Sequence, residues 1–160
     1  MITFQHEQHR FTYRVVGIAL DRERVLLHRA ESEDFWSLPG GRCELGEPGA
    51  VALAREMDEE LGERVRVERL VWVVENFFRY QGRLHHELGF YFLMTLPPES
   101  RLLAAPGPFD GQEPGVRLIF AWYPLADLPT LRLYPSFLRT GLAALPATTT
   151  HIVHIDEDVL

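Results

Sequence analysis

The sequence predicts an α/β fold built as a single domain over residues 1–160. Three observations carry that expectation. Runs of β-branched and aromatic residues recur along the chain, and one strongly amphipathic helical segment lies among them in strand-helix-strand order. Hydrophobic residues make up 46% of the chain, enough for one real core at this length, and there is no internal repeat.

The elements follow in order. Phe11 to Leu20 (FTYRVVGIAL) reads as a strand, and the charged turn Asp21 to Arg24 separates it from VLLHR at residues 25–29, so the two form a hairpin or neighbouring strands. His28 and Arg29 close the second strand. Both read as a solvated strand end, with a phosphate contact as the alternative for Arg29. An acidic loop, Ala30 to Asp34, is followed by Phe35, Trp36 and Leu38, where Trp36 reads as core. Pro39-Gly40-Gly41 then permits a tight turn and a close backbone approach to a ligand.

Pro48 opens a helix and Gly62 closes it. Ala50, Leu53, Ala54, Met57 and Leu61 make one apolar stripe at about 100° per residue. Beyond the helix, Val65 to Val74 is a nearly continuous apolar run, as for a strand buried on both faces. Residues 75–78 extend it, and Arg79 to Arg83 makes the turn. Along Leu84 to Leu96 the two-residue period sets His86, Leu88, Phe90, Phe92, Met94 and Leu96 toward a core. His85, Glu87, Gly89 and Tyr91 fall on the other face, which suits a cleft wall for a base or sugar. Glu87 reads equally as an exposed strand carboxylate paired with an arginine. His85 and His86 point to opposite faces and read as structural.

Residues 97–115 hold five prolines and three glycines, the composition of a long loop, and Val116 to Tyr123 is the next strand. Pro124 to Leu128 and Pro135 to Leu145 read as a short helix and a C-terminal helix, and the tail THIVHIDEDVL as an edge strand. The net charge of −7 argues against a duplex-binding surface. No stretch is long enough to span a bilayer, and residues 1–10 lack the apolar run of a signal peptide, so the expectation is a soluble, cytoplasmic protein. The single cysteine, Cys43, excludes an internal disulfide and reads as a small packed residue.

The helix breaks two local rules. Glu56, Glu59 and Glu60 stand at i, i+3, i+4, where like charges oppose helix formation by roughly 0.2–0.5 kcal/mol per pair. They also lie in its second half, where the backbone dipole favours cations. A solvated acidic face tolerates this, whereas a bound divalent cation resolves both conflicts.

The wider spacing shifts the balance toward the cation. Gly41, Glu47, Arg55, Glu56, Met57, Glu59, Glu60 and Gly62 stand in the order G-x5-E-x7-R-E-U-x-E-E-x-G, where U is a bulky apolar residue. This resembles the Nudix box, the signature of the Nudix hydrolases. At roughly one in fifteen per Gly, Glu or Arg position, seven chance matches are on the order of one in 10⁸ per register. The residue after the last glycine is usually apolar in the box. Here it is Glu63, a departure expected to touch packing at the helix end.

The resemblance implies an α/β/α sandwich around a mixed β-sheet, and Mg²⁺-dependent hydrolysis, with Mn²⁺ an alternative metal, of a nucleoside diphosphate linked to another moiety. NTPs, dNTPs and dinucleoside polyphosphates belong to that class. Glu56 and Glu60 are then principal metal ligands, Glu59 a ligand or a residue behind one, and the Gly40 carbonyl a further ligand. Arg55 orients Glu56, and Glu47 pairs with Arg55; Gly41 and Gly62 are structural. Glu56 and Glu113 both remain as the general base. Arg29, Tyr80 and Glu87 are candidates for substrate contact, with Tyr80 at a position associated with diadenosine polyphosphate hydrolases. Phe78 stands where the ADP-ribose branch typically has proline. Members are often homodimers. The alternative is a Nudix-fold module that binds a nucleotide without turnover, although such modules commonly lose box carboxylates that this chain keeps. Isopentenyl diphosphate isomerase shares the fold but has a degenerate box, unlike this one.

Overall fold

A computed structural model describes residues 1–159. In chain order the strands are β1 (Thr3–His6), β2 (His9–Ile18), β3 (Leu20–Asp21), β4 (Arg24–Ala30) and β5 (Gly40–Arg42), then β6 (Arg66–Tyr80) and β7 (Arg83–Thr95). They continue with β8 (Phe109–Asp110), β9 (Leu118–Pro124) and β10 (Thr150–Val159). Helix α1 (Gly49–Leu61) lies between β5 and β6, and α2 (Leu138–Gly141) is a single turn before β10.

The two-residue period of the strands sorts their side chains onto two faces of a mixed sheet, ordered β1-β2-β7-β6-β10, with β5 pairing onto β2. β2 and β7 run parallel, as do β10 and β6, while β6 and β7 form a long antiparallel pair. A second, antiparallel sheet, β3-β4-β9-β8, was not separated from the first by the sequence pattern. On one side Leu53, Met57 and Leu61 of α1 pack with Val15, Phe120 and Trp122. On the other, Val16, Ile18, Trp72 and Tyr91 are covered by Leu128, Leu133, Leu138 and Leu142. Neighbours Val15 and Val16 thus serve opposite cores, which makes the β2 register intolerant of a one-residue slip.

The helix ends where the sequence places them. Pro48 is extended at the N-cap, and Gly62 adopts φ 68°, with its N–H bonded to the Asp58 carbonyl. Its buried stripe is shifted slightly: Ala52 is fully buried, whereas Ala50 and Ala54 are half-buried. Glu63, expected to disturb packing, is 7% exposed and accepts a 2.8 Å hydrogen bond from Ser100 Oγ, so a polar partner replaces the apolar contact.

Four expectations need correction. The first half of β6 is not buried on both faces: Arg66, Glu68 and Arg69 are exposed, and register against β7 shifts between Val67 and Trp72. The β6-β7 turn is only Gln81-Gly82, because both strands run on to Tyr80 and Arg83 and both turn residues take positive φ. The 97–115 segment is not a bare loop. It carries a 3₁₀ turn, Arg101–Ala104, whose Leu102 is fully buried, and the strand β8. Finally, residues 135–145 form only α2, because Leu138 and Leu142, one turn apart, suffice to plug the second core.

Met57→Ala should lower stability by about 2–5 kcal/mol through lost contacts and a residual cavity, whereas Val51→Ala, on the exposed side of the same helix, should stay within about 0.5 kcal/mol. Urea denaturation of both variants checks this, with the two side chains fully buried and largely exposed respectively.

Candidate active site

Arg55 is the hub of the helix. Its Nε and Nη2 donate to the two Glu47 carboxylate oxygens at 2.8 and 3.0 Å, Nη1 to Glu56 Oε1 at 2.8 Å and Glu59 Oε2 at 3.1 Å, and Nη2 also to the Arg42 carbonyl at 3.2 Å. All five guanidinium donors are used. One cation thus ties the loop before α1, two helix carboxylates and the end of β5 together. The hydrogen bonds from Arg55 hold the Glu47 carboxyl down at about 2, and those to Glu47 raise the Arg55 guanidinium further above its ordinary range.

The three helix glutamates occupy three environments. Glu59 is 53% exposed and turned to Arg55. Glu56 is half-buried, with its carboxylate seated over Gly41: a Cβ at Gly41 would meet Glu56 Cδ at 2.0 Å. Only glycine leaves room for that carboxylate. Glu60 is 6% exposed, and its Oε2 has no hydrogen-bond partner. Burial, opposed by Arg14 and then reinforced by Glu56, Glu113 and Glu59, pushes the Glu60 carboxyl up to about 8. Burial also raises Glu56, against its bond from Arg55.

His28 faces Glu60, with Nδ1 3.9 Å from Glu60 Oε2 and likewise unpartnered. The solvated strand end expected there is wrong, because β4 is central in its sheet and His28 is buried against Phe120. Burial, then Arg14, lowers its imidazole to about 3, so it is neutral at pH 7.

These groups open on a cavity of about 590 Å³. Gly40, Gly41, Glu56, Glu60, Glu113, Arg29, Tyr80 and Glu87 all line it, whereas Glu47, Arg55, Glu59 and Gly62 stand behind it. Glu113 is exposed in a segment pinned to the end of α1, where Gln112 N donates to the Glu60 carbonyl at 2.8 Å and its Nε2 to the Asp58 carbonyl at 3.0 Å. Arg29 is engaged at one nitrogen, where Nη1 spans the carbonyls of Ala30, Glu31 and Glu33. Tyr80 donates its hydroxyl to Glu33, and burial followed by that bond raises the phenol to about 12.

The sheet forms the cavity floor in registered rows. Arg10, His85 and Phe78 make one row; Thr12, Glu87 and Asn76 make the next. His85 stacks on Phe78 at 4.8 Å and 14°, and Phe35 packs edge-on to Tyr80 and Tyr134. Glu87 accepts from the Asn76 amide, with burial raising its carboxyl and Arg14 opposing; it forms no ion pair with an arginine among the described residues. Asn76 is 4% exposed and its Oδ1 is unpartnered. Sequence reading missed His28, Asn76, Arg10, Arg14 and Arg42; the two-residue period of β2 and β6 was the signal available for Arg10, Arg14 and Asn76.

Donor chemistry fits a hard divalent cation. Among the described residues no three His, Cys, Asp or Glu side chains close a cage. Mg²⁺ rarely needs one, since it takes one or two carboxylates and completes its shell with waters and phosphate oxygens. A buried carboxylate oxygen without a partner, beside a second carboxylate, answers that requirement.

The model of the NUDIX domain matches residues 10–143. The chain belongs to that family. An 8-oxo-dGTP diphosphatase from Buchnera aphidicola subsp. Schizaphis graminum is 22% identical over 114 residues, covering 62% of this chain and 88% of that protein. The human 8-oxo-dGDP phosphatase NUDT18 is 34% identical over 137 residues; the match covers 82% of this chain but only 38% of the human protein. Among solved structures, an ADP-ribose pyrophosphatase from Streptococcus suis 89-1591 superposes with TM-score 0.59 at 18% identity, covering 89% of this chain and 98% of that one, a likeness of fold. The Nudix chain is accordingly a hydrolase of acid anhydrides in phosphorus-containing compounds. No helix among the described residues is long and apolar enough to cross a membrane.

Two outcomes follow from the geometry. Gly41→Ala should displace the Glu56 carboxylate and cut turnover at least about tenfold while far-UV circular dichroism keeps the α1 signal. The depressed Glu47 carboxyl contributes stability present above its unfolded value of 4.5 and lost as pH falls through about 2. The stability gap between wild type and Glu47→Gln should therefore be widest above pH 4.5 and close between pH 4.5 and 2, as followed by thermal melts.

Proposed function

We propose that this Nudix chain is a Mg²⁺-dependent pyrophosphohydrolase, able to use Mn²⁺, that cleaves the phosphoanhydride of a nucleoside diphosphate linked to another moiety. The observation that carries the reading is Glu60, a buried carboxyl with an unpartnered oxygen on the wall of a cavity large enough for a nucleotide. Glu60 and Glu56, with the Gly40 carbonyl, would hold the ion. When bound, it neutralises phosphoryl oxygens and lowers the pKa of an attacking water.

The protein's own groups do the rest. Arg55 holds Glu56 against Gly41, which fixes the carboxylate before substrate arrives. Glu59, bonded to Arg55 and outside the cavity, acts behind the ligands. Glu56 and Glu113 are the carboxylates able to take the proton from water. The stacked Phe78–His85 pair, with Tyr80 and Phe35, offers flat apolar faces to a base, and Glu87 and Asn76 offer polar atoms to its edge. Relatives named for 8-oxoguanine nucleotides support a nucleotide substrate without choosing one.

Glu60→Gln should reduce turnover by more than about 100-fold at nearly constant side-chain volume and an unchanged melting profile. The assay is phosphate release from a panel of NTPs, dNTPs, oxidised dNTPs, dinucleoside polyphosphates, ADP-ribose and nucleotide sugars, with Mg²⁺ and then Mn²⁺. Wild-type rates in the variant would refute the assignment. Silence of the wild type across the panel, with nucleotide still bound, would favour a non-hydrolytic binding module.

A further inference from the structure

Three arginines on the cavity wall lack an ion-pair partner among the described residues. Arg10, Arg14 and Arg42 all line it. Arg14 on β2 lies directly opposite Arg42 on β5, and Arg10 stands two periods back along the same face of β2, with Thr12 between. Like charges directly opposite across strands are destabilising, so the pair is maintained at a cost.

Carboxylates at a distance offset that cost only in part. Among the described residues none of the three forms an ion pair. Among the described residues Arg10 donates from Nε to the Thr3 hydroxyl at 3.3 Å, Arg42 donates from Nη1 only to the Met1 thioether, and Arg14 makes no side-chain hydrogen bond. The charges facing them are Glu56 and Glu60 from α1 and Glu87 from β7, and Glu56 is already engaged by Arg55. Burial, followed by Arg10 and Arg14, lowers the Arg42 guanidinium from its ordinary value, outweighing Glu87 and Glu56. In a chain of net charge −7, a cationic cluster turned inward calls for an anionic guest.

We propose that Arg14 and Arg42, with Arg10 beside them, form a metal-independent anion subsite for a phosphate group of the ligand, separate from the carboxylates that would hold the cation. Guanidinium forks match phosphate oxygens in pairs, and three of them on one wall suit a tetrahedral dianion. The subsite lies between Glu56 and Glu60 at one end and the Phe78–His85 stack at the other, on the path a phosphate chain would follow from metal to base. It rests on the reading of the cavity as a nucleotide site, but its test needs neither metal nor turnover.

The experiment is isothermal titration of the full chain in excess EDTA with three probes: inorganic phosphate, a nucleoside monophosphate and the matching uncharged nucleoside. The expected result is that both phosphate-bearing probes bind and that the monophosphate binds at least tenfold more tightly than the nucleoside. Arg14→Gln should erase that tenfold difference while the melting temperature stays equal or rises, because a repulsion is removed. Glu60→Gln should leave it in place. Arg42→Gln carries the same test if Arg14→Gln folds poorly. Absence of phosphate-dependent binding without metal, or an unchanged preference in both arginine variants, would overturn the subsite. Hydrolysis by the metal-loaded wild type would then still stand, so the two failures are distinguishable.

Discussion

The fivefold hydrogen bonding of Arg55 is the constraint on which the site depends. A run of three glutamates in the second half of a helix is poor local design, and Arg55 absorbs most of that cost by drawing Glu56 and Glu59 to itself. Its fork on Glu47 also fixes the loop that precedes the helix, and its bond to the Arg42 carbonyl fixes β5. Since Arg55 settles two glutamates, the third stands out. Glu60, one turn beyond Glu56, receives no bond from Arg55 and is buried with an oxygen that no donor among the described residues reaches. The unmet demand for a partner is thereby concentrated at one carboxyl facing the cavity.

Much of this was legible in the sequence for reasons that can be stated. The ends of α1 follow from Pro48 and Gly62, whose backbone preferences are local. The alternation along β7 placed Glu87 and Tyr91 on the cavity side because a strand's period admits no other arrangement. The pairing of Glu47 with Arg55 came only through the box spacing, since eight residues separate them and no helical rule joins them. What escaped was set by long-range partners. His28 is buried because β4 pairs with β9, some ninety residues away, and Phe120 comes with it. The length of α2 was overread because Pro135 and a leucine repeat satisfy local helix rules, while packing needs only one turn.

Glu63 illustrates how a departure from a pattern is repaired. Its carboxylate replaces an apolar side chain at the helix end and would cost stability if left unpaired. Ser100, at the cap of the 3₁₀ turn, supplies the donor, and the same hydroxyl accepts from Leu102 N. The 97–115 segment read as a plain loop therefore has a structural task at its start. Near its end, Gln112 satisfies carbonyls at the C-terminus of α1 and carries Glu113 to the cavity.

The cavity combines an acidic end, an arginine wall and an aromatic end, an arrangement that matches metal, phosphate and base in that order. Its weight falls on the acidic end, and the most direct test is anomalous diffraction from crystals soaked in Mn²⁺ alone. The account predicts a single manganese peak about 2.0–2.2 Å from a Glu60 carboxylate oxygen, close to Glu56 and the Gly40 carbonyl, with the remaining ligands water. A peak elsewhere with Glu60 unliganded, or no peak at saturating Mn²⁺, would contradict it.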